Sequence, residues 1–117
     1  SEVESLITAP DLSTHIGIRD RAMLEVLYAS GLRTTELIGL KYSDVNLQQG
    51  LIRVIGKGSR ERLVPLGAEA SEWVRTYYKE ARKQLLGNRS NDLVFVSLRG
   101  RQMTRQTFWH IVKKYAK

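Results

Sequence analysis

Apolar residues recur every three or four positions along much of the chain, which is the spacing of one face of an α-helix. This pattern predicts helices over residues 2–8, 17–29, 35–40, 69–86 and 104–115. Each is bounded by polar or glycine residues of the kind that cap or end helices, with Thr104 as the cap of the last one, and His15 is placed in a loop. In the helix over residues 69–86, the spacing places Tyr77 and Ala81 on one face and Arg82 toward solvent. The chain is therefore predicted to be mainly helical.

A second pattern, strict alternation with β-branched residues, predicts strands between the helices. Leu51–Ile55 alternates, Gly56–Ser59 reads as a turn, and Arg62–Leu66 reads as the returning strand of a β-hairpin. The apolar run Leu93–Val96 predicts a short strand that could join the hairpin sheet. The predicted fold class is α+β, mostly helical, with a small antiparallel sheet built on the hairpin.

Arg33 lies at a corner between two predicted helices. Gly31 can adopt the left-handed conformation that ends the first helix, and Thr34 or Thr35 can cap the second. An arginine at such a corner is positioned by the backbone, and its guanidinium can bind two oxygens of one phosphate. Arg33 is thus a candidate phosphate ligand.

Lys57 is placed by the same pattern at the tip of the hairpin, between two glycines. A lysine there is little shielded, which suits a proton donor that must reach a ligand. The alternative is a solubilising turn residue, since glycine and polar residues dominate turns generally.

The composition narrows the possible partners and chemistry. With 19 Lys and Arg against 12 Asp and Glu, the formal charge of +7 and pI of about 10.0 favour a polyanionic partner, although a merely basic protein has the same balance. The chain has no cysteine, which excludes disulfides, thiolate metal sites and cysteine nucleophiles. No run of apolar residues approaches the ~20 that a membrane helix needs, and no signal peptide opens the chain.

The last predicted helix combines an apolar stripe with basic residues. Its stripe predicts packing on one side, while the basic residues on the other side can meet an anion or can simply be solvated. The basic residues are Arg101, Arg105, Lys113 and Lys114.

Several other candidate sites fail on spacing or context. The segment Gly50–Lys57 resembles a nucleotide-binding loop, but its spacing is one residue too long and Gly58 stands where a Ser or Thr is needed. His110 is interpreted as a residue that packs or hydrogen-bonds to backbone, and not as a catalyst. Tyr28 and Tyr115 lie on helix faces that the pattern predicts to be buried, so neither is a candidate nucleophile.

The motifs taken together, in order, resemble a known family. Gly31–Leu40, the Asp44 segment, the Gly56–Leu66 hairpin and Met103–Trp109 are similar to the tyrosine recombinases of the phage integrase family. Within it the resemblance is to the bacterial Xer type, and to the XerD group more than to the XerC group. It runs through nearly the whole chain.

The resemblance implies a catalytic role for the two cations. Family members cut DNA through a 3′-phosphotyrosyl link without metal or nucleotide cofactor. Arg33 matches the first arginine that holds the scissile phosphate, and Lys57 matches the lysine thought to protonate the departing 5′ oxygen. Glu36 matches an acidic residue that supports the first arginine.

The resemblance also implies partners and a DNA-contacting surface. The helix that matches Arg105–Tyr115 enters the major groove in the family, which makes Thr104, Arg105 and Gln106 the expected DNA contacts, together with Arg60 in the hairpin. The implied partners are a double-stranded recombination site and further subunits of a tetramer, including a XerC-like recombinase. The absence of cysteine, of a signal peptide and of a membrane helix leads us to expect a reducing cytoplasm or nucleoid.

The remaining catalytic parts of the family are a His-x-x-Arg motif, a later His or Trp, and the tyrosine nucleophile. None is found in the 117 residues. We therefore expect residues 1–117 to be the N-terminal portion of a catalytic domain, without the upstream core-binding domain or the tyrosine-bearing segment, and to be inactive alone. The expected parent resolves chromosome dimers by site-specific recombination. The alternatives are a noncatalytic DNA-binding module and a mobile-element integrase.

Overall fold

The computed structural model describes residues 1–116 and has the predicted α+β architecture, with six α-helices and a three-stranded antiparallel sheet within those residues. The α+β prediction is confirmed. The helices are α1 (Glu2–Thr8), α2 (His15–Ser30), α3 (Thr34–Ile38), α4 (Ala68–Tyr77), α5 (Lys83–Leu86) and α6 (Arg105–Tyr115). The strands are β1 (Val45–Asn46), β2 (Leu51–Ile55) and β3 (Glu61–Pro65).

The helix starts follow local capping signals. Ser1 and Glu4 form a reciprocal capping box at α1, and the Thr14 hydroxyl accepts the Gly17 N–H at 2.9 Å at the start of α2. His15, which the sequence placed in a loop, is the first residue of α2. The predicted cap of the last helix is confirmed, since the Thr104 hydroxyl accepts the Thr107 N–H at 3.0 Å.

The core lies between α2, α4 and the inner face of the sheet. It is centred on fully buried apolar side chains to which most elements contribute, so the small sheet and the helices share one hydrophobic interior. The largest of these side chains are Met23 and Val26 of α2, Leu37 of α3, Ile52 of β2, Val74 and Tyr77 of α4, Phe95, and Phe108 of α6.

The sheet has the order β1-β2-β3, and its register sorts the hairpin residues between two faces. Ile52 pairs with Val64 and Val54 pairs with Arg62, so these four side chains share the face toward the helices. The opposite face carries the pairs Arg53–Leu63 and Ile55–Glu61 and is exposed.

The predicted strand over Leu93–Val96 is wrong. These residues are buried but form only one isolated antiparallel bridge, between Leu93 and Lys41. The reason is that helix side chains occupy the carbonyls that a neighbouring strand would use: Tyr77 donates to Val94 O at 2.7 Å and Arg82 donates to Leu93 O at 2.7 Å. Arg19 likewise donates to Val96 O at 3.1 Å. Burial without a neighbouring strand leaves the segment irregular.

The long helix predicted over residues 69–86 is present, with one turn of π-helix over Tyr78–Arg82 between α4 and α5. Tyr77 and Ala81 lie on the predicted buried face. The prediction that Arg82 faces solvent is wrong, because its guanidinium binds the carbonyls of Asn91 and Leu93. No helix among residues 1–116 is both long enough and apolar enough to cross a lipid bilayer.

Candidate functional site

Arg33 lies in the short connection between α2 and α3. Gly31, with φ of 66°, ends α2 by donating its N–H to Leu27 O at 3.0 Å. Leu32 is buried beneath this corner, and Arg33 follows in an extended conformation as the N-cap of α3. Its side chain is exposed, and its guanidinium has no hydrogen-bond or ion-pair partner among residues 1–116. The corner therefore fixes the backbone of Arg33 and leaves its charge available.

The predicted cap of α3 is not the observed one. Thr34 and Thr35 lie inside the first turn of the helix, and the residue that closes its N-terminus is Glu36. The Glu36 carboxylate reaches back and accepts the Arg33 N–H at 2.9 Å. Glu36 thus contacts Arg33 through the backbone of Arg33 and not through its guanidinium.

The charge of Glu36 is engaged by Arg62 of β3, a residue that the sequence reasoning did not select. Two nitrogens of the Arg62 guanidinium bind the two carboxylate oxygens of Glu36, each at 3.0 Å. The hydrogen bonds from Arg62 hold the pKa of Glu36 below its ordinary value and raise the pKa of Arg62. The sequence contained an indication of this pair. Strand alternation puts Arg62 on the same face as Val64, and a charged side chain that faces the helices needs a partner of opposite charge.

Lys57 lies in the turn between β2 and β3, as predicted. The turn is closed by the Gly56 N–H, which donates to Arg60 O at 2.8 Å. Gly58 and Ser59 both have positive φ, of 70° and 60°, and Ser59 is the only residue other than glycine with positive φ among residues 1–116. The side chains of Lys57 and Arg60 are exposed at this tip.

The exposed face of the hairpin carries its own ion pairs. Arg53 donates to Asp44 Oδ1 from Nε at 3.0 Å and from Nη2 at 2.7 Å, and its Nη1 lies 2.9 Å from Glu61. These bonds join β2 to β3 and to the turn that precedes β1. They do not reach α3, so Arg62 and Arg53 link the hairpin to different parts of the fold.

Helix α6 presents the predicted DNA-contacting residues in its first turn. Arg105 and Gln106 are exposed, while Phe108 is fully buried and packs the helix onto the core next to α3. Thr104 is also exposed, but its hydroxyl is already used as the cap of the helix. Trp109 is 46% exposed.

A buried polar network holds the other end of α6, and the sequence reasoning missed it. The Tyr115 hydroxyl donates to Asp20 Oδ2 at 2.5 Å, and Arg19 donates twice to Asp20 Oδ1 at 3.0 and 2.8 Å. Asp20 is 1% exposed and Arg19 is 4% exposed. Burial, followed by the hydrogen bond to Asp20, raises the pKa of Tyr115 above its ordinary value. Tyr115 is thus a structural tyrosine.

Tyr28 differs from its prediction. It lies at the end of α2 and is 69% exposed, although the helical spacing placed it on a buried face. The core-facing stripe of α2 includes Met23 and Val26 instead. Because Tyr28 is exposed, burial is not a reason to exclude its hydroxyl as a nucleophile.

The site residues are therefore connected through α3. Arg33 is its N-cap, Glu36 is in its first turn, the hairpin that carries Lys57 is bonded to it through Arg62, and α6 packs against it. Two cationic side chains on fixed backbone, next to a helix with a free basic first turn, form a surface suited to a phosphodiester chain.

The chain has relatives among known proteins. The tyrosine recombinases XerD of Pseudomonas aeruginosa and Vibrio cholerae are 59% and 53% identical to this chain over 116 residues each. In each case the match covers 99% of the chain but only 39% and 38% of the relative. The chain therefore spans about two fifths of the length of these relatives.

Solved structures agree with the sequence match. The XerA recombinase superposes with a TM-score of 0.81 at 29% identity, over 98% of the chain and 41% of that protein. The XerH site-specific recombinase, solved bound to its difH substrate, superposes with a TM-score of 0.76 at 26% identity, over 98% of the chain and 34% of that protein. The lambda integrase catalytic core, at 20% identity and a TM-score of 0.66 over 98% of the chain and 64% of that core, shares the fold.

These matches confirm the resemblance inferred from the motifs, including its XerD character. The model of the phage integrase family matches residues 1–117. The chain therefore belongs to the phage integrase family, the tyrosine recombinases.

Proposed function

We propose that residues 1–117 are the N-terminal portion of the catalytic domain of a longer tyrosine recombinase. That protein cuts and rejoins double-stranded DNA at a specific site through a 3′-phosphotyrosyl intermediate. The identity with XerD proteins favours chromosome dimer resolution. We propose that the longer protein acts in the cytoplasm, as a tetramer that includes a XerC-like partner. The observation that carries the proposal is the Glu36 carboxylate, which accepts the Arg33 N–H and also binds the hairpin of Lys57 through Arg62.

The two cations meet the two needs of metal-free phosphodiester cleavage. A phosphodiester is inert because its negative charge repels nucleophiles and because the leaving alkoxide is very basic. Arg33 would hold the nonbridging oxygens and stabilise the charge that develops on them. Lys57 would donate its proton to the departing 5′ oxygen.

The bonds balance without an outside reagent. The hydroxyl of a tyrosine beyond residue 117 would lose its proton as its oxygen forms a bond to phosphorus, and the bond from phosphorus to the 5′ oxygen would break. The 5′ oxygen takes a proton from Lys57, and the proton lost by the tyrosine balances the one that Lys57 gives up. The 5′ hydroxyl of a second strand later attacks the phosphotyrosyl bond and releases the tyrosine. The energy of the phosphodiester bond is conserved, so no nucleotide cofactor is needed.

DNA would be read by the first turn of α6. Arg105 and Gln106 are exposed at the start of a helix whose opposite side is anchored by Phe108. We assign Arg60 and Thr104 to the DNA-facing surface as well, with Thr104 contributing mainly by fixing the start of the helix.

The test is adduct formation by the full-length protein on a nicked suicide substrate carrying a Xer-type site. The wild type should give a protein–DNA adduct that survives denaturation. Arg33→Ala should cleave on the order of 10²- to 10³-fold more slowly, with little change in DNA binding, because one preorganised donor is lost. Arg75→Ala is the control, since Arg75 is an exposed arginine on α4 whose guanidinium binds Glu72 and Leu47 O and none of the residues of this site.

The alternative outcomes are distinct. Binding without any adduct would identify a noncatalytic DNA-binding module. An Arg33→Ala variant that cleaves at the wild-type rate would show that Arg33 does not hold the scissile phosphate.

A further inference from the structure

The hairpin that carries Lys57 is joined to α3 close to its tip. Arg62 lies opposite Val54 in β2, and only the pair Ile55–Glu61 separates it from the turn. Movement of this part of the hairpin relative to α3 would therefore stretch the bonds of Arg62 to Glu36.

The geometry of these bonds fixes direction as well as distance. The Arg62 guanidinium makes two parallel bonds to the two oxygens of Glu36, each 3.0 Å long, which is the fork geometry of a bidentate pair. The oxygen Oε1 of Glu36 also accepts the Arg33 N–H at 2.9 Å. One carboxylate thus fixes the start of α3 and the strand β3 together.

The turn fixes its own backbone through the bond from the Gly56 N–H to Arg60 O, but the Lys57 side chain has no hydrogen-bond or ion-pair partner among residues 1–116. Gly58 and Ser59 are both left-handed, and the side chain of Lys57 is exposed. The position of Lys57 relative to Arg33 therefore also depends on the base of the turn, where Arg62 binds Glu36 of α3.

We propose that Arg62 is a positioning residue for the leaving-group proton: it binds Glu36 so that Lys57 is held at the scissile phosphate that Arg33 binds. The inference rests on the proposed function, in which Arg33 and Lys57 act on one phosphodiester. Arg62 does not itself touch the reacting atoms in this scheme.

A substrate that does not need the proton isolates this role. When sulfur replaces the bridging 5′ oxygen, the leaving group departs as a thiolate without protonation. A defect that arises from losing or misplacing Lys57 disappears on this 5′-phosphorothiolate substrate. A defect in the fold or in Arg33 remains.

The variant Arg62→Met keeps most of the apolar stem and removes the guanidinium. Arg53→Met is the matched control, because the Arg53 side chain is similarly exposed, at 46% against 49% for Arg62, and also makes a two-nitrogen contact. Its partners are Asp44 and Glu61 and not α3, so it tests whether losing any ion pair of the hairpin has the same effect. Both are made in the full-length protein and assayed by single-turnover cleavage at saturating DNA.

We expect Arg62→Met to cleave the ordinary substrate about 10²-fold more slowly, the cost of misplacing a catalytic group by about 1 Å. It should cleave the phosphorothiolate substrate within about threefold of the wild-type rate. Lys57→Ala should show the same pattern, Arg33→Ala should be slow on both substrates, and Arg53→Met should be near wild type on both. Arg62→Lys, which keeps the charge but not the fork, should fall between wild type and Arg62→Met on the ordinary substrate. It serves as the test variant if Arg62→Met fails to fold.

Three outcomes overturn the inference. If Arg62→Met is slow on both substrates, Arg62 acts through Arg33 or the fold. If it cleaves at the wild-type rate but binds DNA more weakly, Arg62 is a phosphate contact. If Lys57→Ala itself is not rescued while Arg33→Ala is inactive, the assignment of Lys57 in the proposed function fails, and the role of Arg62 fails with it.

Discussion

The buried Asp20 network makes a quantitative prediction about stability. Asp20 is 1% exposed, with one oxygen bound by Arg19 and the other by the Tyr115 hydroxyl. Tyr115→Phe removes one hydrogen bond to a carboxylate, which contributes about 1.5 to 3 kcal/mol to stability. We expect about 1.5 kcal/mol, because Tyr115 is only partly buried and water can replace its hydroxyl.

Asp20→Asn should lower the free energy of unfolding by more than Tyr115→Phe does. It removes the negative charge that Arg19 faces and leaves a guanidinium that is 4% exposed without a counter-charge. Breaking a buried pair in this way costs about 3 to 5 kcal/mol. A chain of this size has a total stability of roughly 6 to 18 kcal/mol, so Asp20→Asn removes a large fraction of it.

The assay is urea unfolding of the purified chain, followed by tryptophan fluorescence, with equal m-values as the check for a two-state transition. Tyr28→Phe is the control, because Tyr28 is 69% exposed. The loss of its hydroxyl should change the free energy of unfolding by less than about 0.5 kcal/mol. A Tyr115→Phe effect no larger than that of Tyr28→Phe, or an Asp20→Asn effect no larger than that of Tyr115→Phe, would refute the reasoning.

The pH dependence gives an independent check with a definite sign. Burial and the bond to Asp20 raise the pKa of Tyr115 in the folded state above its ordinary value of 10.0. The contribution of Tyr115 is therefore complete below pH 10 and is lost as the pH rises beyond it, when the unfolded chain ionises first. The stability difference between wild type and Tyr115→Phe should narrow above pH 10.

Two further predictions concern Arg105 and Glu36. In the full-length protein, Arg105→Ala should weaken the free energy of binding to the cognate site by about 1 to 3 kcal/mol and reduce the discrimination between bases at the contacted pair. Lys113→Ala should weaken binding to all DNA sequences alike. Titrations with cognate and single-base-changed duplexes decide this, and equal weakening by Arg105→Ala would make Arg105 a phosphate anchor. The hydrogen bonds from Arg62 lower the pKa of Glu36 from its ordinary value of 4.5, so its contribution to stability is present above pH 4.5 and lost below it. The stability difference between wild type and Glu36→Gln should therefore shrink in acid urea titrations, and a difference that stays constant would contradict the role of the carboxylate charge.

The parts of the fold that the sequence predicted are those whose causes are local. The corner at Gly31, the hairpin turn at Lys57 and the cap at Thr104 each depend on residue types within a few positions of one another. Such signals act through backbone conformation and short hydrogen bonds, so they survive in any tertiary context that keeps the element.

The parts that it missed depend on contacts between distant residues. Arg62 and Glu36 are 26 positions apart, Arg19 and Val96 are 77 apart, and Tyr115 and Asp20 are 95 apart. The error at Leu93–Val96 has the same origin, because apolar composition predicts burial but cannot tell a strand partner from a side chain that binds the same carbonyl. Periodicity likewise could not show that the buried face of α2 leaves Tyr28 exposed.

The site depends on both kinds of cause through α3. This helix has five residues, too few to be stable through its own hydrogen bonds. Its orientation is therefore set by the burial of Leu37, by the pair of Glu36 with Arg62 and by the packing of α6. Because Arg33 is the N-cap of α3, each of these contacts also sets the position and direction in which its side chain leaves the backbone. In the proposed function, the motif supplies the chemistry of Arg33, and the tertiary contacts of α3 determine whether Arg33 and Lys57 can reach the same phosphate.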